Sequence, residues 1–287
     1  MSPTEHDRPL AEGERVLLVD PKGRRHLFVL RAGGTFHTHR GGLAHDELLG
    51  GPEGVVVVAE AGTPYLALRP TLADVVVLQK RAATVMYPKD LGGVLLAADV
   101  GPGMHVVEAG AGSGALSCAL LRAVGEAGHV SSFELRPEHA EVARRNVHDF
   151  FGGEPAHWSL DVRDVAEALL ADDGPRGADR MVLDLLAPWD VLEAAATALR
   201  PGGLLCSYVT TTTQLSSVVE ALRSGGRWTE PRSLETLERT WHVEGLAVRP
   251  DHRMVGHTGF LVTSRLLAPG VAPPPVRRRP APGARRG

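Results

Sequence analysis

The sequence is short of cysteine, of long apolar runs and of net charge, and each shortage removes a class of protein. Only two cysteines, Cys118 and Cys206, occur in 287 residues. A disulfide scaffold needs more, and both fall in apolar segments, as small core residues of a protein in a reducing cytoplasm do. No apolar run reaches the roughly 18 residues of a membrane span. The opening MSPTEHDRPLAEGERVLL lacks the basic head and apolar stretch of a secretory signal. A formal net charge of −3 neither requires nor excludes a nucleic-acid partner, because local patches decide that. What is present is 43% hydrophobic residues, enough at this length for an α/β core with a smaller module beside it.

Residues 13–70 read as short strands, RVLLVD, HLFVLR, GVVVVAE and PYLALR, separated by turn sequences such as DPKG and RAGG. That spacing predicts a small β-barrel or sandwich over residues 1–75. Residues 71–100 read as helical with a break at Tyr87-Pro88, since the residue before a proline avoids the αR region. From residue 105 strands and helices alternate: HVVEAG, HVSSFEL, AHWSLDV, RMVLDLL and LLCSYVT are each followed by a helical stretch. This predicts a doubly wound, mostly parallel sheet within residues 76–268. RSLETLERTWHV and GFLVTSRLL are expected to form an antiparallel pair at its edge. Residues 269–287, rich in proline and arginine and without apolar periodicity, read as a disordered tail.

The stretch VVEAGAGSGALS, residues 106–117, runs from a strand through glycines at every second position into a helix. Gly110, Gly112 and Gly114 leave the turn free of side chains and aim backbone N–H groups at a ligand above it. Dehydrogenases use a similar loop, so the turn alone does not name the nucleotide. Glu134 ends the second strand of the unit, where a carboxylate accepts from both ribose hydroxyls. Asp161 ends the third, in reach of an adenine amino group, and Asp184 ends the fourth. The carboxyl ends of such strands line the ligand crevice. This acidity suits the ammonium and sulfonium of S-adenosylmethionine and repels a pyrophosphate, which favours S-adenosylmethionine over NAD. Two alternatives stay open: a methyltransferase acting on a protein or small molecule, and an NAD(P)-dependent oxidoreductase.

FHTHRGGLAHDELLG (36–50), QKRAATVMYPKD (79–90), VVEAGAGSGALS (106–117), FELRPEHAEVARRNV (133–147), DLLAPW (184–189) and RPDHRMVGHTGFL (249–261) together resemble the bacterial and archaeal tRNA (adenine-58-N1)-methyltransferases. The resemblance runs to about Leu267. It implies a class I, Rossmann-like methyltransferase with a small N-terminal β-domain. It also implies methylation of N1 of adenine 58 in the tRNA T-loop, and assembly as a homotetramer. One departure is visible: Leu186 stands where the family's fourth-strand motif commonly carries its first proline.

By this resemblance the backbone of Ser113, Gly114, Ala115 and Leu116 cradles the cofactor. Glu134 holds the ribose, Asp161 the adenine, and His139 makes a weaker contact. Asp184 meets both the cofactor and the target base, Tyr87 helps to wall the flipped adenine, and Gln79 contributes indirectly. Lys80, Arg81 and Lys89 read either as tRNA phosphate ligands or as solvated helix charges. His37, His39, His45 and Asp46, and likewise His252 and His257, form clusters without cysteine or an ordered ligand spacing, so no metal site is expected.

Overall fold

A computed structural model describes residues 8–38, 41–81 and 84–273 of the chain. His39, and residues 274–287 of the expected tail, lie outside the described residues. The first strands are β1 (Arg15–Val19), β2 (Arg25–Val29), β3 (Thr35–Thr38), β4 (Gly41–Ala44), β5 (Val55–Val58) and β6 (Pro64–Leu68). In the turn of DPKG, Asp20 accepts the N–H groups of Lys22 and Arg24, each at 2.9 Å, which sets the β1–β2 hairpin. Strands β2, β1, β6 and β5 form one antiparallel sheet in that order. Leu10, Val16, Leu18, Leu30, Leu43, Leu48, Ala59, Tyr65 and Ala67 form its core. All four strands expected between residues 13 and 70 are present. The hairpin β3–β4 was not expected.

Helix α1 (Leu72–Leu78) opens on a capping box: Asp74 N–H donates to the Thr71 hydroxyl, and the Asp74 carboxylate accepts the Thr71 N–H. Helix α2 (Pro88–Ala97) begins at the expected proline, with Tyr87 extended before it at φ −72° and ψ 155°. The break between them is longer than the proline alone predicts, because helical geometry already ends at Gln79. The Lys80 carbonyl is captured instead by the Asn146 side-chain amide at 2.9 Å.

The remaining elements are β7 (His105–Ala109), α3 (Ala115–Val124), β8 (His129–Glu134), α4 (Pro137–Phe151), β9 (Trp158–Val162), α5 (Val165–Leu170), β10 (Ala178–Asp184), α6 (Leu192–Ala198), β11 (Leu199–Val209), α7 (Thr212–Ser224), β12 (Arg232–Glu235), β13 (Trp241–Glu244), β14 (Ala247–Pro250) and β15 (Phe260–Arg265). Seven strands form one sheet in the order β12-β15-β11-β10-β7-β8-β9. Strands β7 to β11 are parallel, and β15 and β12 pair antiparallel at one edge, as expected. Only the first part of RSLETLERTWHV takes part, because WHVE turns away into the separate hairpin β13–β14.

Both faces of the sheet are buried, as in other parallel sheets. Val106, Val130, Val182, Cys206 and Tyr208 meet α2, α3 and α4, while Val107, Phe133, Met181, Leu183 and Leu205 meet α5, α6 and α7. From β7 the chain winds outward through β8 and β9, then returns to place β10 on β7's other side. The winding direction therefore reverses between β7 and β10, and the carboxyl ends of those strands frame a crevice.

Candidate active site

The glycine turn sits at the mouth of this crevice, and its glycines do different work. Gly110 has φ +89°, and any side chain there would collide with the Asp184 carbonyl, so the ends of β7 and β10 approach as closely as backbone allows. Gly114, at φ +77°, is the N-cap of α3 and lies against the backbone of Ala143 in α4. Gly112, at φ +55°, has no atom but the Gly110 carbonyl oxygen near its missing Cβ, which leaves that side open. Beyond it, Ala115 and Leu116 bury their side chains in the core and offer only backbone N–H groups at the start of α3. Those groups have no partner within the helix and carry the positive end of its dipole. The Ser113 carbonyl accepts from Asn146 Nδ2 at 2.9 Å and from Gln79 Nε2 at 3.5 Å.

Four acids gather at this edge. Glu134, the last residue of β8, is buried; its Oε2 accepts the Gly112 N–H at 2.8 Å and its Oε1 the Arg136 N–H at 3.0 Å. Asp161 is exposed, is in register with Phe133 on β8, and forms an ion pair with Arg163 at 2.8 Å. Asp184 ends β10, with neither a donor nor a cation against its carboxylate among the described residues. Burial, then the negative charges of Glu108 and Glu134, push its pKa up to about 7. Glu108 was missed in the sequence. It is fully buried in β7, and its Oε2 accepts the hydroxyls of Ser117 at 2.7 Å and Ser132 at 2.5 Å, while Oε1 has no partner. Burial is the main cause that lifts its pKa to about 7, against those two hydrogen bonds. The signal was an acid inside the apolar run HVVEAG.

Such an edge holds a ligand that is neutral or cationic and rich in hydroxyls. Each Glu134 oxygen keeps a lone pair beyond its backbone bond, as a ribose requires. The orphaned Glu108 oxygen and unpaired Asp184 fit a ligand with cationic groups. A pyrophosphate would face three carboxylates. The residues present therefore fit S-adenosylmethionine.

The surroundings correct one expectation. Lys89 is not a surface charge: its side chain is 2% exposed and paired with Asp90 at 2.7 Å. Lys80 and Arg81 are exposed. Tyr87 is half-buried at the start of α2, and His139 is half-buried in the first turn of α4. In the loop after β10, where Leu186 replaces the family's proline, Gln214 Nε2 on α7 donates to the Leu186 carbonyl at 2.9 Å. His45 is structural: its Nδ1 accepts the Arg31 N–H at 3.1 Å, and Asp46 accepts the Gly33 N–H at 3.0 Å. Burial lowers the pKa of His45. His257 bridges Glu235 at 2.7 Å and the Thr210 carbonyl at 2.8 Å, which raises its pKa, and His37 and His252 are exposed. Among the described residues no three His, Cys, Asp or Glu side chains are grouped to hold a metal ion. A concavity of about 560 Å³ lined by His129, Phe151, Glu154 and His157 opens at the amino ends of β8 and β9, away from the crevice.

A doubly wound sheet that turns a glycine loop and three strand-end carboxylates toward one crevice defines a methyltransferase of the Rossmann-like class. The chain aligns over 95% of its length with a solved SAM-dependent O-methyltransferase from Thermotoga maritima, at TM-score 0.84 and 28% identity, covering 97% of that chain. The sequence model described as tRNA methyltransferase complex GCD14 subunit matches residues 65–249, and that described as TrmI-like N-terminal matches residues 9–57. The chain belongs to this tRNA methyltransferase family. One relative, named tRNA (adenine(58)-N(1))-methyltransferase TrmI, from Thermus thermophilus, is 41% identical over 250 residues, which are 87% of this chain and 96% of that protein. A second, from Methanocaldococcus jannaschii and named for both adenine 57 and adenine 58, is 33% identical over 91% of this chain and 96% of its own. The solved tRNA (m1A58) methyltransferase TrmI from Aquifex aeolicus superposes with TM-score 0.77 at 27% identity, covering 91% of this chain and 99% of that one.

Proposed function

We propose that the protein methylates N1 of adenine 58 in the T-loop of tRNA, with S-adenosylmethionine as the methyl donor. The single observation that carries the chemistry is the unpartnered Asp184 carboxylate at the close approach of β10 to the glycine turn. When bound, the cofactor supplies the methyl group, carried on a sulfonium. Glu134 holds the ribose hydroxyls, Asp161 accepts from the adenine amino group, and His139 makes a weaker contact with the nucleoside. The backbone N–H groups of Ala115 and Leu116 at the start of α3 serve the methionine end, with Glu108 as the buried acid beneath; those of Gly110, Gly112 and Gly114, expected to be free, are already bonded to Phe133, Glu134 and Ala111.

The N1 lone pair of neutral adenine is free, so no base is needed before attack. Methylation places positive charge on the ring, shared with the exocyclic N6. Asp184 accepts a hydrogen bond from N6–H, and that bond strengthens as the charge develops, while it orients N1. Tyr87 walls the extruded base, which must leave its stack before it is reached. A cytoplasmic location is proposed with it, on the ground of a tRNA substrate. A homotetramer is proposed with it, supported by the exposed apolar side chains of the β13–β14 hairpin, Trp241, Val243, Leu246 and Val248.

The test is incubation with labelled S-adenosylmethionine and unmodified tRNA, followed by nucleoside mapping. Label in 1-methyladenosine at position 58 supports the reading, and the same digest reports on position 57. Label in protein, in ribose or in no product would refute it.

A further inference from the structure

Lys89 and Asp90 are each 2% exposed at their side chains, a buried ion pair in the first turn of α2 that the proposed chemistry does not use. A pair so placed is weak support for stability, because desolvation offsets its attraction. Its partners show another role. Lys89 Nζ also donates to the Thr236 carbonyl at 2.7 Å and to the Thr258 hydroxyl at 2.5 Å. The Thr258 hydroxyl donates to Asp90 Oδ2 at 2.5 Å, and the Tyr208 hydroxyl reaches the same oxygen at 3.4 Å. Every side-chain donor of the cluster is used.

The cluster joins two places that the chemistry needs. On one side, the N–H groups of Asp90 and Leu91 donate to the Tyr87 carbonyl at 2.9 and 3.0 Å, so the backbone of Tyr87 is set by the turn that Asp90 anchors. On the other side, Tyr208 on β11 is in register with Asp184 on β10. Gly259 keeps the Tyr208 ring seated, since a side chain there would collide with it. Tyr87 and Asp184 lie 97 residues apart in the sequence (184 − 87) and no hydrogen bond joins them directly among the described residues.

We propose that Asp90, held by Lys89, Thr258 and Tyr208, is a positioning residue that fixes the Tyr87 wall relative to the Asp184 carboxylate. Asp90 touches no substrate and acts through Tyr87. This deepens the methyltransferase reading and rests on it. A buried polar cluster with every member satisfied selects one arrangement of the elements it joins, whereas an apolar contact tolerates sliding.

The test has a readout that does not depend on the substrate. In Asp90→Asn and in Thr258→Val, amide hydrogen exchange at residues 86–91 should quicken about tenfold, with residues 110–116 unchanged. Single-turnover methylation should fall about 10- to 100-fold at saturating cofactor, with cofactor affinity kept within about twofold. Thr258→Ser should restore both. If Asp90 acts through Tyr87, then Tyr87→Ala and Asp90→Asn will not multiply, and the double variant will be no slower than Tyr87→Ala. Should Asp90→Asn fail to fold, the pair Lys89→Met with Asp90→Leu removes the charges together: it should fold, exchange faster at residues 86–91 and methylate slowly. Unchanged exchange, a full rate in the apolar pair, or multiplicative losses would each overturn the proposal. Wild-type protein that methylates no adenine refutes the functional reading instead, and the exchange result still decides whether the cluster holds α2.

Discussion

Glu134 is tied to backbone N–H groups by both oxygens, so it shapes the glycine turn as well as facing the crevice. Glu134→Ala is expected to cost about 1.5–3 kcal/mol of cofactor binding. That is roughly a 10- to 150-fold weaker affinity by calorimetry. Unchanged affinity would remove it from the ribose. Glu108 and Asp184 make a second prediction, because both have raised folded pKa values, each about 7. Burial favours their neutral forms, so their contribution to stability is complete below the ordinary carboxylate range and is lost as pH rises through about 7. A cationic cofactor prefers the ionised forms. Its affinity should therefore tighten from pH 5.5 to about 7, below the range of about 7.7–8.0 where an α-ammonium titrates. A flat affinity over that window would show that neither acid faces the cofactor.

The glycine turn separates folding from binding at the scale of the element. Gly110→Ala meets the Asp184 backbone and should lower both the melting temperature and cofactor affinity. Gly112→Ala has open space at its Cβ, so it should cost the fold only about 1–2 kcal/mol. It should nonetheless abolish measurable cofactor binding, because the added methyl fills the ligand's side of the turn. Equal losses in the two variants would contradict this division. The turn and the strand-end acids were legible because spacing and type coincide in VVEAGAGSG and at Glu134, Asp161 and Asp184. Three features were not. The hairpin β3–β4 hides in FHTHRGG, where histidine and glycine blur any alternation. Lys89 reads as a phosphate ligand or a solvated charge, since nothing local shows that Asp90, Thr236 and Thr258 come to pair with it. The Asn146 amide, which captures the Ser113 and Lys80 carbonyls, belongs to contacts 33 and 66 residues apart in sequence.

At the scale of the whole molecule, Trp241, Val243, Leu246 and Val248 on one exposed hairpin leave apolar surface that a lone chain has little reason to keep. Light scattering at micromolar concentration is expected to give about four times the mass of one chain, and Trp241→Asp with Val248→Asp should lower it. A single-chain mass for the wild type would refute the tetramer. Removal of residues 274–287 is expected to leave the melting temperature within about 1 °C, because a segment of that composition buries little apolar surface; a larger fall would show that it packs. If Asp184 stabilises the charge that develops on adenine, single-turnover methylation of unmodified tRNA at saturating cofactor will depend on its carboxylate. Asp184→Asn keeps the shape and removes the charge. The expected rate is lower by roughly 10²–10³-fold, with tRNA binding retained. A rate near that of the wild type would contradict it and leave Asp184 a structural residue.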